Sequence, residues 1–102
     1  MLELIEQNRA ELERLCRRQQ VERLELFGSG ATGEFRPERS DLDFLVEFRP
    51  LAPRDRADAY FGLLHGLEDL FRRPIDLVTQ QAIQNRRFAR AVDRQRTLLY
   101  AA

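Results

Sequence analysis

The segment at residues 40–48, SDLDFLVEF, constrains the fold most, because its side chains alternate in polarity. Successive residues of a β-strand point to opposite faces of a sheet. One face takes Leu42, Phe44, Val46 and Phe48, and the other takes Asp41, Asp43, Leu45 and Glu47. The alternation predicts a strand with one face in the hydrophobic core and two aspartates on the other.

The remaining segments predict helices and strands that alternate along the chain. In order, we expect a helix at residues 2–20, a strand at 23–27, a loop at 28–40, the strand above, a helix at 57–71 with Pro53 in its first turn, a strand at 75–79 and a helical tail at 82–100. This order predicts an α/β (α+β) fold, a small mixed sheet with helices packed on one face.

The predicted helices carry apolar residues at spacings of three and four, which indicate the sides that face the core. They are Leu2, Ile5, Leu12, Leu15 and Cys16 in the first helix, Ala57, Tyr60, Phe61, Leu64, Leu67 and Phe71 in the second, with Leu63 and Leu70 widening that stripe, and Ile83, Phe88, Val92 and Leu99 in the tail. Tyr100 is expected to pack the last helix against the sheet.

Composition excludes several classes of protein. The 102 residues predict one domain spanning positions 1–102, and 17 basic against 17 acidic residues argue against a nucleic-acid binder. All the basic residues are Arg, which excludes a P-loop and a Schiff-base lysine.

One cysteine, Cys16, and one histidine, His65, leave no thiol–imidazole zinc site, and we expect both to be structural. No apolar run is long enough to span a bilayer and residues 1–10 are too charged for a signal peptide, so we expect a cytoplasmic protein.

Three aspartates are the candidate catalytic residues. Asp41 and Asp43 stand two apart on one strand, so both carboxylates project to the same side and repel each other. Their oxygen atoms suit one or two hard cations such as Mg²⁺. Asp76 interrupts an otherwise apolar strand, and it would join the pair if the two strands are neighbours. Taken singly, each aspartate could also be a solvated residue at a turn or strand end.

The dipeptide Gly28-Ser29 follows a predicted strand, where free backbone N–H groups and a hydroxyl can bind phosphate oxygens. Tight turns use the same dipeptide constantly, so its meaning comes from its position one strand before the aspartates. A phosphate-binding turn beside a carboxylate cluster is typical of metal-assisted transfer from a nucleoside triphosphate.

The stretch LFGSGATGEFRPERSDLDFLVEF resembles the signature of the polymerase-beta-type nucleotidyltransferase superfamily: Gly-Ser, a loop, Asp-x-Asp on a strand and a third Asp on a later strand. The small size and the C-terminal sequence resemble the minimal nucleotidyltransferases, the MntA-like antitoxins of toxin–antitoxin pairs. This resemblance implies that Gly28 and Ser29 hold the triphosphate of ATP. It also implies that Asp41 and Asp43 bind two Mg²⁺ ions and that Asp76 completes the site beside the attacking hydroxyl.

By the same resemblance, the chain would transfer AMP to a tyrosine of a cognate HEPN-domain ribonuclease toxin, forming a hetero-oligomer without direct contact with nucleic acid or membrane. Two departures bear on nucleotide affinity. Eleven residues, at positions 30–40, separate Gly-Ser from Asp41 where ten are commonest, and Thr32 stands where the family often has Arg. Arg36 or Arg39 could substitute for that arginine.

Two other functions stay open. A binding antitoxin would neutralise the toxin by complex formation alone, with a weak or vestigial acidic site. Transfer to a small molecule would normally need a further domain to hold the acceptor. The arginines after Gln84 are either a solvated helix face or a docking surface for an acidic partner, or for RNA held by that partner.

Overall fold

The computed structural model describes residues 3–27, 42–79 and 96–102. The elements are α1 (Glu3–Gln7), α2 (Arg9–Arg18), β1 (Val21–Phe27), β2 (Leu42–Phe48), α3 (Pro53–Phe71), β3 (Ile75–Thr79) and β4 (Arg96–Ala101). Three strands and the long helix therefore lie close to where the sequence predicts them.

The four strands form one mixed sheet in the order β3-β2-β1-β4. β1 runs antiparallel to both β2 and β4, whereas β2 and β3 are parallel. Parallel neighbours need a crossover connection, and α3 provides it between β2 and β3. The predicted α+β architecture, a small mixed sheet with helices, is confirmed.

The hydrophobic core lies between the helices and one face of the sheet. Its strand residues come from alternate positions, as the pattern in β2 predicts, and the Phe44 ring stacks on Phe71 with centroids 6.0 Å apart. The core members are Ile5, Leu12, Leu15, Cys16, Val21, Leu24, Leu26, Leu42, Phe44, Val46, Leu63, Leu67, Phe71, Leu77 and Leu99. Apolar burial of this kind is the main source of folding free energy.

The first predicted helix is divided in two at Asn8. The Asn8 side chain donates a hydrogen bond from Nδ2 to the Leu4 carbonyl oxygen at 2.9 Å. Asparagine competes in this way for carbonyls that would otherwise accept helical hydrogen bonds, which favours a local turn. The apolar side was predicted correctly, because Ile5, Leu12, Leu15 and Cys16 are all buried, while Leu2 lies outside the described residues.

The long helix is rotated relative to the predicted stripe. Its buried residues are Ala59, Leu63, Leu67 and Phe71, whereas Ala57 is exposed and Phe61 is 55% exposed. Close packing against α2 sets this rotation, since a Cβ atom added at Gly66 would lie 2.5 Å from Leu15 Cδ1. The predicted stripe was therefore wrong at Ala57 and Phe61. Its other members are buried or half-buried against the core, as predicted: Tyr60, Leu63, Leu64, Leu67, Leu70 and Phe71. Pro53 opens the helix as its first residue, in the predicted first turn.

The predicted helical tail ends as a strand. Residues 96–101 form β4, which pairs with β1, so Tyr100 lies on a strand and not on a last helix. Leu99 joins the core as expected, while Ile83, Phe88 and Val92 lie outside the described residues. Arg9 fastens β4 to α2 by donating from Nη1 to the Leu99 carbonyl oxygen at 2.7 Å.

Candidate active site

Two of the three predicted catalytic aspartates are brought together by the sheet. Asp43 on β2 and Asp76 on β3 are direct partners in the parallel pairing. Neighbouring strands lie about 4.8 Å apart, and partners in register project from the same face. The condition on which the predicted site depends, that the Asp76 strand lies beside the Asp43 strand, is therefore met.

The two carboxylates lie on the face opposite the core. Phe44 and Leu77, the residues that follow them in each strand, are buried in the core, so Asp43 and Asp76 project away from it. Asp43 is half-buried and Asp76 is exposed. A substrate or ion in solution can therefore reach this pair.

The other predicted site residues, Gly28, Ser29 and Asp41, lie outside the described residues. Phe27, the residue before Gly28, pairs with Asp43, and Leu42, the residue after Asp41, pairs with Ile75. β1 therefore ends one residue before Gly28 and β2 begins one residue after Asp41, both at the strand ends that hold the two carboxylates.

The donor set at Asp43 and Asp76 suits a hard divalent cation. Within the described ranges Asp76 forms no ion pair, and like charges on neighbouring strands repel. Carboxylate oxygens are the ligands that Mg²⁺ and Mn²⁺ prefer. In the same three ranges no group of three or more His, Cys, Asp or Glu side chains could hold a metal ion. The match between these residues and a divalent cation therefore rests on Asp43 and Asp76.

A tyrosine contacts the strand of Asp76 from the helical side. The Tyr60 hydroxyl on α3 donates a hydrogen bond to the Leu77 carbonyl oxygen at 2.7 Å. Burial, and secondarily the negative charge of Asp76, raises the pKa of Tyr60 above its ordinary value. Sequence reasoning placed Tyr60 in an apolar stripe and missed this polar contact, which periodicity cannot reveal.

A buried glutamate with an exposed arginine partner lies on the same face of the sheet as the carboxylates. Glu25 is 5% exposed, and its Oε1 lies 3.0 Å from Arg23 Nε. Across the sheet Glu25 pairs with Leu45, which is also buried. Sequence reasoning gave Glu25 no role. The available signal was the Arg-x-Glu spacing on β1, which places both charges on one face.

The remaining residues singled out from sequence are structural. Cys16 is fully buried, and desolvation, with a smaller effect from Glu13, raises the pKa of its thiol to about 12. His65 is exposed, with Nδ1 3.2 Å from Glu68 Oε1. These placements match the expectations that Cys16 packs in the core and that His65 packs or is exposed.

A cleft of about 470 Å³ lies at the far ends of β2 and β3. Its arginines already have partners: Arg49 Nε lies 3.9 Å from Glu22 Oε2, and Arg56 Nη2 donates to the Leu51 carbonyl at 3.3 Å. The cleft therefore offers weaker chemistry than the carboxylate pair. Separately, none of the helices in the described ranges has the length and apolarity needed to cross a membrane.

Solved structures share this fold. One described as a minimal nucleotidyltransferase is 31% identical, with a TM-score of 0.67, over 94% of this chain and 95% of that one. A toxin–antitoxin complex with AMP-PNP is 23% identical, with a TM-score of 0.65, over 93% of this chain and 74% of that one. A tri-AMPylated Shewanella oneidensis HEPN toxin in complex with MNT antitoxin gives 20% identity and a TM-score of 0.57, over 95% and 72%. The last two likenesses show the fold alone.

No curated protein matches the chain. The family model of the nucleotidyltransferase domain does match, over residues 10–99, a span that includes the Gly28-Ser29 dipeptide and all three aspartates. The match agrees with the paired carboxylates and with the fold of the minimal nucleotidyltransferase structure. The chain therefore belongs to the nucleotidyltransferase domain family.

Proposed function

We propose that this chain is the antitoxin of a toxin–antitoxin pair and acts as a metal-dependent protein adenylyltransferase. It transfers AMP from ATP to a tyrosine hydroxyl of a HEPN-domain toxin. The observation that carries the proposal is the pairing of Asp43 with Asp76 on the face of the sheet opposite the core. Two adjacent carboxylates accessible to solvent are what metal-assisted nucleotidyl transfer requires of a protein.

Each predicted site residue takes a separate role in this proposal. Asp41 and Asp43 hold two Mg²⁺ ions, Asp76 completes the site, and Gly28 and Ser29 bind the triphosphate. Mg²⁺ held by these carboxylates would offset the negative charge that develops on the phosphate groups in the transition state. The exposure of Asp76 leaves its carboxylate able to accept the proton of the incoming hydroxyl.

The reaction is a substitution at the α-phosphorus of ATP. The tyrosine oxygen forms a bond to that phosphorus, the bond to the β-phosphate bridging oxygen breaks, and diphosphate leaves. The hydroxyl proton passes to a base, for which Asp76 is the candidate. The protein product is an O-adenylylated tyrosine.

The partner and the nucleotide are inferred from relatives that share the fold. One of them is a toxin–antitoxin complex with AMP-PNP, and another is an AMPylated HEPN toxin with MNT antitoxin. AMP-PNP is an analogue of ATP, and AMPylation of the toxin is the modification that we propose here.

The test uses the full chain, a HEPN-domain protein produced from the neighbouring gene if that gene encodes one, Mg²⁺ and ATP labelled at the α-phosphate. We expect label on the HEPN protein, loss of that label in EDTA, and a decrease of at least about 100-fold in Asp43→Asn and Asp76→Asn, because each removes charge from the metal site. Asp58→Asn is the matched control, since Asp58 is an exposed aspartate on α3.

Full labelling by both Asp43→Asn and Asp76→Asn would contradict the proposed mechanism. If no label is transferred but the Asp43→Asn protein still inhibits the ribonuclease of the toxin, the chain is a binding antitoxin. Assaying labelling and ribonuclease inhibition on the same samples separates the two functions.

A further inference from the structure

We propose that Tyr60 is a positioning residue for Asp76, because its hydroxyl fixes the free edge of β3 one residue beyond that carboxylate. This inference rests on the proposed function, in which Asp76 contributes to a metal and nucleotide site. It adds a residue that neither the family motif nor the sequence pattern assigns.

The edge position of β3 makes such a restraint useful. β3 is the last strand of the sheet, and its one neighbour within the described sheet is β2. The Leu42 amide donates to the Pro74 carbonyl at 3.3 Å, so backbone groups at residues 74, 76 and 78 point toward β2. The groups at 75, 77 and 79 therefore point to the free edge.

Tyr60 contacts one of these backbone groups that point to the free edge. Its hydroxyl donates to the carbonyl of Leu77, which directly follows Asp76 in the strand. The hydrogen bond restrains the peptide group that follows Leu77. It acts from the free edge of β3, the side on which no other strand lies within the described sheet. As a result β3 is restrained on both sides next to Asp76: by β2 on one side and by α3 on the other.

The Tyr60 side chain is itself held in place. The ring is half-buried against the core and makes an edge contact with Phe61 at a centroid distance of 5.2 Å. Burial, and secondarily the negative charge of Asp76, raises the pKa of Tyr60, so the hydroxyl keeps its proton at neutral pH. A neutral phenol can therefore fix the strand without an ion pair that would compete with a cation for Asp76.

A purely structural role is the alternative, in which the hydrogen bond only protects an edge strand. The two roles differ in one measurable quantity, the gain in nucleotide affinity that a divalent cation provides. A positioning role predicts that removing the hydroxyl reduces this gain. A structural role predicts a lower melting temperature with the gain unchanged.

The experiment measures binding of AMP-PNP to the full chain by calorimetry, once with Mn²⁺ and once with EDTA. The variant is Tyr60→Phe, which keeps the ring and removes the hydroxyl. Tyr100→Phe is the matched control, because it makes the same chemical change at a half-buried tyrosine on β4, two strands away from β2. Melting temperatures are recorded for all variants, and binding is measured well below them.

For Tyr60→Phe we expect Mn²⁺-dependent affinity to fall about threefold to tenfold, the effect of one lost hydrogen bond, while affinity in EDTA stays within twofold. Tyr100→Phe should leave both affinities unchanged. The inference is overturned if Tyr60→Phe binds as the wild type does under both conditions, or loses affinity equally in both.

Asp43→Asn and Asp76→Asn distinguish failure of the inference from failure of the proposed function. If these two variants lose the Mn²⁺-dependent gain and Tyr60→Phe keeps it, only the role of Tyr60 is wrong. If the wild type shows no Mn²⁺-dependent gain, or if both aspartate variants keep it, the metal site is wrong and the role of Tyr60 fails with it.

Discussion

The two faces of strands β2 and β3 contrast sharply, although they are built from alternate residues of the same short segments. Phe44 and Leu77 enter the core, and Phe44 stacks on Phe71 of α3. Asp43 and Asp76, one residue earlier in each strand, meet on the other face as two carboxylates in register. The core face holds the packed aromatic rings, while the other face brings two like charges together near the starts of β2 and β3.

This difference indicates how a small sheet supports chemistry. Repulsion between carboxylates is tolerated because the burial of apolar side chains on the opposite face more than offsets it. The same alternation that buries Phe44 places Asp43 where a cation can reach it. Substitutions on the two faces should therefore change stability in opposite directions.

The largest change in stability should come from substitutions on the face of the sheet that packs in the core. Phe44→Ala removes a fully buried ring and its stack on Phe71, so we expect the free energy of unfolding to fall by about 3–5 kcal/mol. Phe61→Ala is the matched control: Phe61 is 55% exposed, and we expect a loss below about 1 kcal/mol. Urea denaturation of both variants checks the comparison, and similar losses would contradict the observed rotation of α3.

An intermediate effect should follow from pH through Cys16. Its thiol has a pKa near 12 when folded and an ordinary value of 9.0 when unfolded. Between these values the unfolded chain loses the proton first, so the free energy of unfolding falls as pH rises from 9 to 12, by up to about 4 kcal/mol. Below pH 9 this contribution is constant.

Cys16→Ala should reduce that alkaline slope, although the variant is less stable at neutral pH because it leaves a cavity. Chemical denaturation at a series of pH values measures the slope in both proteins. An unchanged slope would show that the thiol is accessible to solvent.

The smallest change in stability should come from the face that carries Asp43 and Asp76, and it should have the opposite sign. Asp76→Asn removes one of two like charges on neighbouring strands, so we expect the free energy of unfolding to rise by about 0.5 kcal/mol at low salt. The gain should shrink in 1 M salt, which screens the repulsion. Asp58→Asn provides the control on α3, and a loss of stability in Asp76→Asn would show that the carboxylate is stabilised by a partner.

Much of the sheet and part of the site could be predicted from the sequence. The alternation in β2 and the apolar β3, found at residues 75–79 as predicted, fix which face Asp43 and Asp76 share. Asp43 and Asp76 meet only because β2 and β3 are neighbours in the sheet, and local sequence patterns do not encode this strand order. β4 was mistaken for helix because six residues show no clear period, and its partner β1 lies about 70 residues earlier in the chain.

The rotation of α3 shows a second limit of pattern reasoning. The helix carries apolar residues around much of its surface, so spacing alone does not distinguish a stripe through Phe61 from one through Leu63. Gly62 and Gly66, four residues apart, mark the side that α2 approaches closely, and that signal was available in the sequence. The contact of Tyr60 with Leu77 depends on this rotation and could not be found without it.

The two edge strands are each fastened by a side chain from a helix, Tyr60 at Leu77 and Arg9 at Leu99. A bare edge strand is a template on which another molecule can extend the sheet, the usual start of aggregation. In the described sheet, one carbonyl on each of these strands already accepts a hydrogen bond from a helix side chain. Addition of a strand at Leu77, whose carbonyl points to the free edge of the described sheet, would first have to displace the anchored Tyr60 side chain.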